Sequence, residues 1–200
     1  MNPKEEIFNF LAKSENLNVA LEIVDYVEQL KLEMHKQFWT TFNDRMGRIV
    51  KDSEYASSWR YHPYPTRRIL KDWEKTLIEP VIEKSSGRSF LYMTFGQGQP
   101  DDGYKLFWGV RWSTPPEGFD NTSLSALRGE LRAHRITNGE PPNWIYWGYC
   151  DYRIYDAEFL IRMHNDQENF FDEIREKVWN LFVDIRPLLE KINQEVCISE

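Results

Sequence analysis

Apolar residues recur every three or four positions through the first quarter of the chain. The series Val19, Ile23, Tyr26, Val27, Leu30, Met34, Phe38, Phe42, Met46, Ile49 keeps helical spacing for about thirty residues. It predicts one long helix or two abutting ones, with Glu28, Lys31 and Lys36 off the stripe and Gly47 weakening the final turns. A shorter helix is expected ahead of it. Asn2 stands where an N-cap would, Pro3 at the first helical position and Glu5 three residues after the cap, and Ile7, Phe10 and Leu11 give the apolar face.

Beyond Ser53 the pattern is broken by Pro63 and Pro65, which interrupt the aromatic run Trp59, Tyr61, His62, Tyr64 and make a non-helical connector. Ile69, Trp73, Leu77 and Val81 then predict a helix over Thr66 to Lys84, kinked by Pro80. At Phe90 the period shortens. The aromatic runs 90–95 and 104–112 flank a Gly-, Pro- and Asp-rich stretch and read as two antiparallel strands. A loop over 113–122, a short helix around 124–135, a Pro-containing break and a third aromatic strand at 144–152 follow. From Asp166 the spacing of Phe170, Phe171, Ile174, Val178, Leu181, Phe182, Ile185, Leu189 and Ile192 predicts a long terminal helix bent at Pro187. The order indicates an α+β fold: a small antiparallel sheet of about three strands, packed on one face by long N-terminal and C-terminal helices. With 200 residues the expectation is a single domain, 1–84 mainly helical and 85–200 carrying the strands, the short helix and the long C-terminal helix.

Composition adds one anomaly, an aromatic content of 15% including 8 Trp, against an ordinary 41% hydrophobic and 28% charged residues. The net charge of -7 arises in the second half: residues 1–100 carry 14 basic and 14 acidic side chains, residues 101–200 carry 11 and 18. An acidic C-terminal region argues against a general grip on nucleic acid and suits a basic partner. Two cysteines, Cys150 and Cys197, are too few for a disulfide framework and point to a reducing, cytoplasmic setting. The opening residues lack the basic-then-apolar pattern of a signal peptide, and no run approaches a membrane span.

Catalytic motifs are incomplete. Pro100-Asp101-Asp102 suggests the start of a nuclease signature, but Lys105 follows too soon and no acidic residue precedes it at the required spacing, so a turn is expected there. His35, His62, His134 and His164 are scattered, with none at a metal-ligand spacing, and no cofactor or metal is expected. Glu130 and His134 fit a surface i,i+4 pair, and Cys150 a buried apolar position.

Two candidate surfaces emerge. On the third aromatic strand Trp144, Tyr146, Cys150 and Tyr152 are expected on one face and Ile145, Trp147 and Tyr149 on the other. The rings Trp144, Trp147 and Tyr149, with the acidic Asp172, Glu173 and Glu176, form a candidate partner-binding set. The alternative is a ligand or phosphate pocket in which Trp59 and Tyr61 stack on a base and Arg128, Arg132 and Arg135 hold phosphate.

Lys105 to Trp112, Pro142 to Tyr149 and the terminal helix ending at Leu188 to Asn193 resemble the C-terminal accessory half of bacterial PD-(D/E)XK nuclease-family proteins of the restriction and defence type. The segment Val24 to Phe42 would match the helix after their catalytic core. The nuclease core itself has no counterpart, so the resemblance implies no catalytic residue. The expected function is a non-catalytic interaction module of the immunity, antitoxin or anti-defence type. It would block a toxin or defence effector with a basic surface, without a membrane role. The alternative is a sensor of nucleotides or nucleic acid.

Overall fold

A computed structural model describes residues 2–63, 75–81, 89–118, 122–139 and 143–199. The first two helices are α1 (Pro3–Leu11) and α2 (Ser14–Asp52). Asn2 caps α1 as expected, its side-chain oxygen accepting from the Lys4 N–H at 3.1 Å, with Pro3 in the first turn. The long apolar series forms one continuous helix of 39 residues. Gly47 does not end it: the glycine lies within packing distance of the Tyr61 ring, 3.5 Å from where its Cβ would stand.

Five strands follow where about three were expected: β1 (Trp59–His62), β2 (Lys75–Pro80), β3 (Leu91–Gln97), β4 (Lys105–Trp112) and β5 (Trp144–Arg153). They lie in the order β1-β2-β3-β4-β5, each antiparallel to the next. The helix expected over 66–84 is overturned at 75–80, where pairing with β1 on one side and β3 on the other makes a strand. Residues 66–74 and 82–84 of that expectation, with Ile69 and Trp73, lie outside the described residues, as do Tyr64 and Pro65 of the connector and Pro141 and Pro142. The β3–β4 hairpin is closed by a short 3-10 turn at Pro100–Asp102 and Gly103 at φ 64°, so Pro100, Asp101 and Gly103 serve the turn.

Three helices complete the chain: α3 (Thr122–Ala133), α4 (Ala157–Asn165) and α5 (Gln167–Ser199). Pro187 lies inside α5 without ending it. Residues 34–52 of α2 pack with α4 and α5 against one face of the sheet, and α3 packs along α5. Leu91, Met93 and Phe95 of β3 and Leu106 and Val110 of β4 turn to this face, and aromatic rings fill the space between the layers. Phe38 stacks on Phe171 with centroids 5.6 Å apart, Phe42 meets Phe95 at 4.7 Å and Trp59 meets Phe182 at 5.1 Å. The high aromatic content therefore goes largely into the core. Asn193 ties α5 to the sheet, its side-chain oxygen accepting from Leu91 N–H at 2.7 Å and its amide donating to Leu91 O at 3.1 Å.

Gly109 sits where β4 and β5 come closest. A Cβ there would meet Tyr146 O at 2.6 Å, so any larger residue would push the edge strand away.

Candidate interaction surface

The helical stripe behaves differently along its length. From Met34 onward its apolar residues are buried: Met34, Phe38, Phe42, Met46 and Val50 all lie in the core. Toward the N-terminus the same stripe continues with none of the described residues covering it. Ile7, Phe8, Phe10, Leu17, Val19, Leu21, Ile23, Val24, Tyr26, Val27 and Leu30 are exposed, from 41% at Val27 to 72% at Phe8. Among the described residues, the exposed large apolar side chains outside this arm are Val81, Tyr149 and Ile161. No residue of α1 is buried. The two helices are joined at Ala12 and Lys13, where the Asn16 side-chain amide donates to Phe10 O at 2.9 Å.

A row of polar residues runs along one side of α2. Glu15, Asn18, Glu22, Asp25 and Gln29 follow one another at steps of three and four and form one polar strip, while Glu28 and Lys31, paired at 2.7 Å, interrupt the surface on another side of the helix. Residues 2–32 carry three lysines and six carboxylates. Eleven large side chains, about half exposed and spread over both helices, together present on the order of 1,000 Å² of apolar surface.

At the base of the arm is a buried polar knot. His35 is fully buried, its Nε2–H donating to Gln97 Oε1 at 2.6 Å, and Trp39 Nε1–H donates to the same oxygen. The Tyr104 and Tyr155 rings meet the imidazole edge-on at 4.6 and 5.5 Å. His35 Nδ1 has no hydrogen-bond partner. Burial pushes the imidazole down to about 4, against the opposing effect of the Gln97 hydrogen bond, so it is neutral at physiological pH. Sequence reasoning did not join His35 to Gln97, 62 residues away.

The predicted partner-binding set is divided between two places. Trp144, Trp147 and Tyr149 cluster around Phe107 on the sheet face opposite the helices: Phe107 meets Trp144 at 6.0 Å and Trp147 at 6.3 Å, and Trp147 meets Tyr149 at 5.1 Å. Trp144 was expected on the other face. A register shift between Val110 and Arg111 turns it over, and Arg111 lies 5.2 Å from its ring. Asp172, Glu173 and Glu176 sit on α5, on the helical side, each with a cationic partner. Asp172 accepts from Arg45 at 3.0 Å and pairs with Arg175 at 3.2 Å, and Glu176 pairs with Arg175 at 3.3 Å. Glu173 accepts from Lys177 at 2.8 Å, from Tyr152 OH and from Arg162 at 2.7 Å, and these hydrogen bonds hold its carboxyl down at about 2. These three carboxylates are therefore engaged within the chain, with Arg175 shared between Asp172 and Glu176.

The alternative pocket is not assembled. Trp59 is 1% exposed and its indole N–H donates to Glu190 at 2.9 Å, while Tyr61 OH donates to Asn43 at 2.6 Å. Both rings face the helices, where no base could stack on them. Arg132 donates to Tyr146 OH at 2.6 Å, and Arg128 is half-buried on the same helix. Arg135 leaves the stripe because α3 ends at Ala133, and at φ 61° it forms the closing turn, Ile136 N–H donating to Leu131 O at 2.9 Å. His134 approaches both Glu130, at 3.6 Å, and Asp184, at 3.5 Å, which ties α3 to α5.

A cleft of about 660 Å³ beside β1 is lined by Ser58, Trp59, Pro80, Glu190, Asn193, Gln194 and Cys197. Its Glu190 is occupied by Trp59 and by Arg186 at 2.7 Å, and its Asn193 by the Leu91 backbone. The Cys150 thiol is pushed up by burial and by Asp151, which keeps it protonated. Among the described residues no group of three or more His, Cys, Asp or Glu is placed to hold a metal ion, and no helix is long and apolar enough to cross a membrane. No family model, curated protein or solved structure matches the chain.

Proposed function

We propose that the chain is a non-catalytic protein-interaction module whose contact element is the helical arm formed by α1 and the first half of α2. The observation that carries the reading is the unbroken apolar stripe that passes from the core at Met34 to Ile23, at 56% exposure. Such a surface is costly to leave in water and gains most by contact with another apolar protein face. Its six carboxylates disfavour an anionic membrane surface, which amphipathic helices reach through lysine and arginine. Blocking or sensing an effector is the role we assign to the module.

The test compares the full chain with an Ile23→Asp/Leu30→Asp variant, each expressed in its native host and sized in clarified extract by gel filtration. The wild type is expected well above 24.0 kDa and the variant at 24.0 kDa. A wild type that elutes at 24.0 kDa would overturn the reading.

A further inference from the structure

We infer that the occupant of the arm is a second copy of this chain, arm against arm, an inference that rests on the interaction-module reading above. The arm's exposed apolar side chains, summed over both helices, amount to about 1,000 Å² per chain, against the roughly 800 Å² that each partner gives to a stable pairing. Elsewhere among the described residues the exposed large apolar side chains, Val81, Tyr149 and Ile161, are too few to form a complement of that size. An arm that docked on the body of another copy would find no matching surface among the described residues. The arm itself matches. A two-fold arrangement sets the same patch against itself, and such a patch must be complementary without opposite charges.

The face centred on Ile23 meets this condition. Val19, Ile23, Val27 and Leu30 lie within one helical face free of charged side chains, and Ala20 beside them leaves room for a partner's larger side chain. The carboxylates Glu22 and Asp25 fall on the far strip, where they stay in water. Each chain carries a net -7, so two copies repel at long range and salt should strengthen their association, or leave it unchanged. A basic partner would show the opposite dependence.

Sedimentation equilibrium of the purified full chain tests this. The expected mass is twice 24.0 kDa at micromolar concentration, with no loss of association as salt rises. Ile23→Asp/Leu30→Asp should weaken association at least about a hundredfold while near-ultraviolet dichroism of the aromatic core stays unchanged. Should that variant lose its helix, Ile23→Ser with Leu30→Ser gives the same comparison with a smaller perturbation. Glu22→Gln/Asp25→Asn, on the far strip, should keep the dimer. A purified wild type of 24.0 kDa at all concentrations overturns the second-copy inference. If the same protein is larger in native extract, the interaction-module reading survives with a different occupant. If it is 24.0 kDa there as well, both fail.

Discussion

The two halves of α2 share one hydrophobic pattern and differ only in what lies beside them. Residues 34–52 are packed against the sheet and α5, with Phe38, Phe42 and Met46 sealed from water, whereas residues 14–30 carry equivalent side chains in the open. The contrast teaches that periodicity specifies a face and leaves its covering unstated. In the buried half the face is matched by Phe95, Phe159 and Phe171 from three other elements. In the arm none of the described residues supplies such a match, which is why we propose an occupant from outside the chain.

Substitutions in the two halves should break this comparison unequally. Phe42→Ala removes a fully buried ring and is expected to cost about 3–5 kcal/mol in chemical unfolding. Ile23→Asp, made in the open half and measured at concentrations where the chain is monomeric, should change the same quantity by no more than about 0.5 kcal/mol.

An effect somewhat below that of Phe42→Ala should come from His35, at the boundary between the halves. Its imidazole is held down at about 4 in the folded protein and titrates near 6.5 when unfolded. Below 6.5 the unfolded chain therefore binds the proton that the folded one refuses. Stability should be full above about pH 6.5 and fall by roughly 3 kcal/mol as pH drops to 4. Glu173, held down at about 2, behaves in the same direction but gives up its contribution only below the ordinary carboxyl value of 4.5, so unfolding measured between pH 4.5 and 6.5 isolates the histidine. His35→Gln should flatten the slope in that interval. The smallest effect belongs to the polar strip: Glu22→Ala is expected to leave both unfolding and sedimentation within about 0.5 kcal/mol of the wild type.

Much of the fold was legible in the residues themselves. The Asn2 cap, the continuous α2, the β3–β4 hairpin and α5 all rest on local signals, capping chemistry and clean periods. β2 was not legible. Leu77 and Val81 extend the helical spacing of Ile69 and Trp73, and only the ladder to β1 and β3 makes Lys75–Pro80 a strand. α4 escaped notice although Phe159 and Met163, four residues apart and both buried, carried its signal. For the candidate site the sequence offered Trp144, Trp147 and Tyr149 as a cluster, and the rings do meet, yet nothing local could place Asp172, Glu173 and Glu176 on the other side of the sheet. Nor could it reveal the cations that neutralise them. The arm was visible as a helix but invisible as a surface, because exposure depends on where the sheet stops.

The continuity of α2 gives the molecule a clock as well as a spacer. No joint interrupts the backbone between Ile23 and Met34, so the direction in which the arm presents its apolar face is set by the count of residues between them. Each residue turns the helix by about 100° and lifts it by about 1.5 Å. One residue added after Lys31 would aim the whole face to the side of its present heading without changing a single contact in the core. Four added together would bring it nearly home, displaced outward by one turn. The heading of the arm's apolar face is thus written into the body of the protein as a phase, inherited through eleven rigid steps of helix.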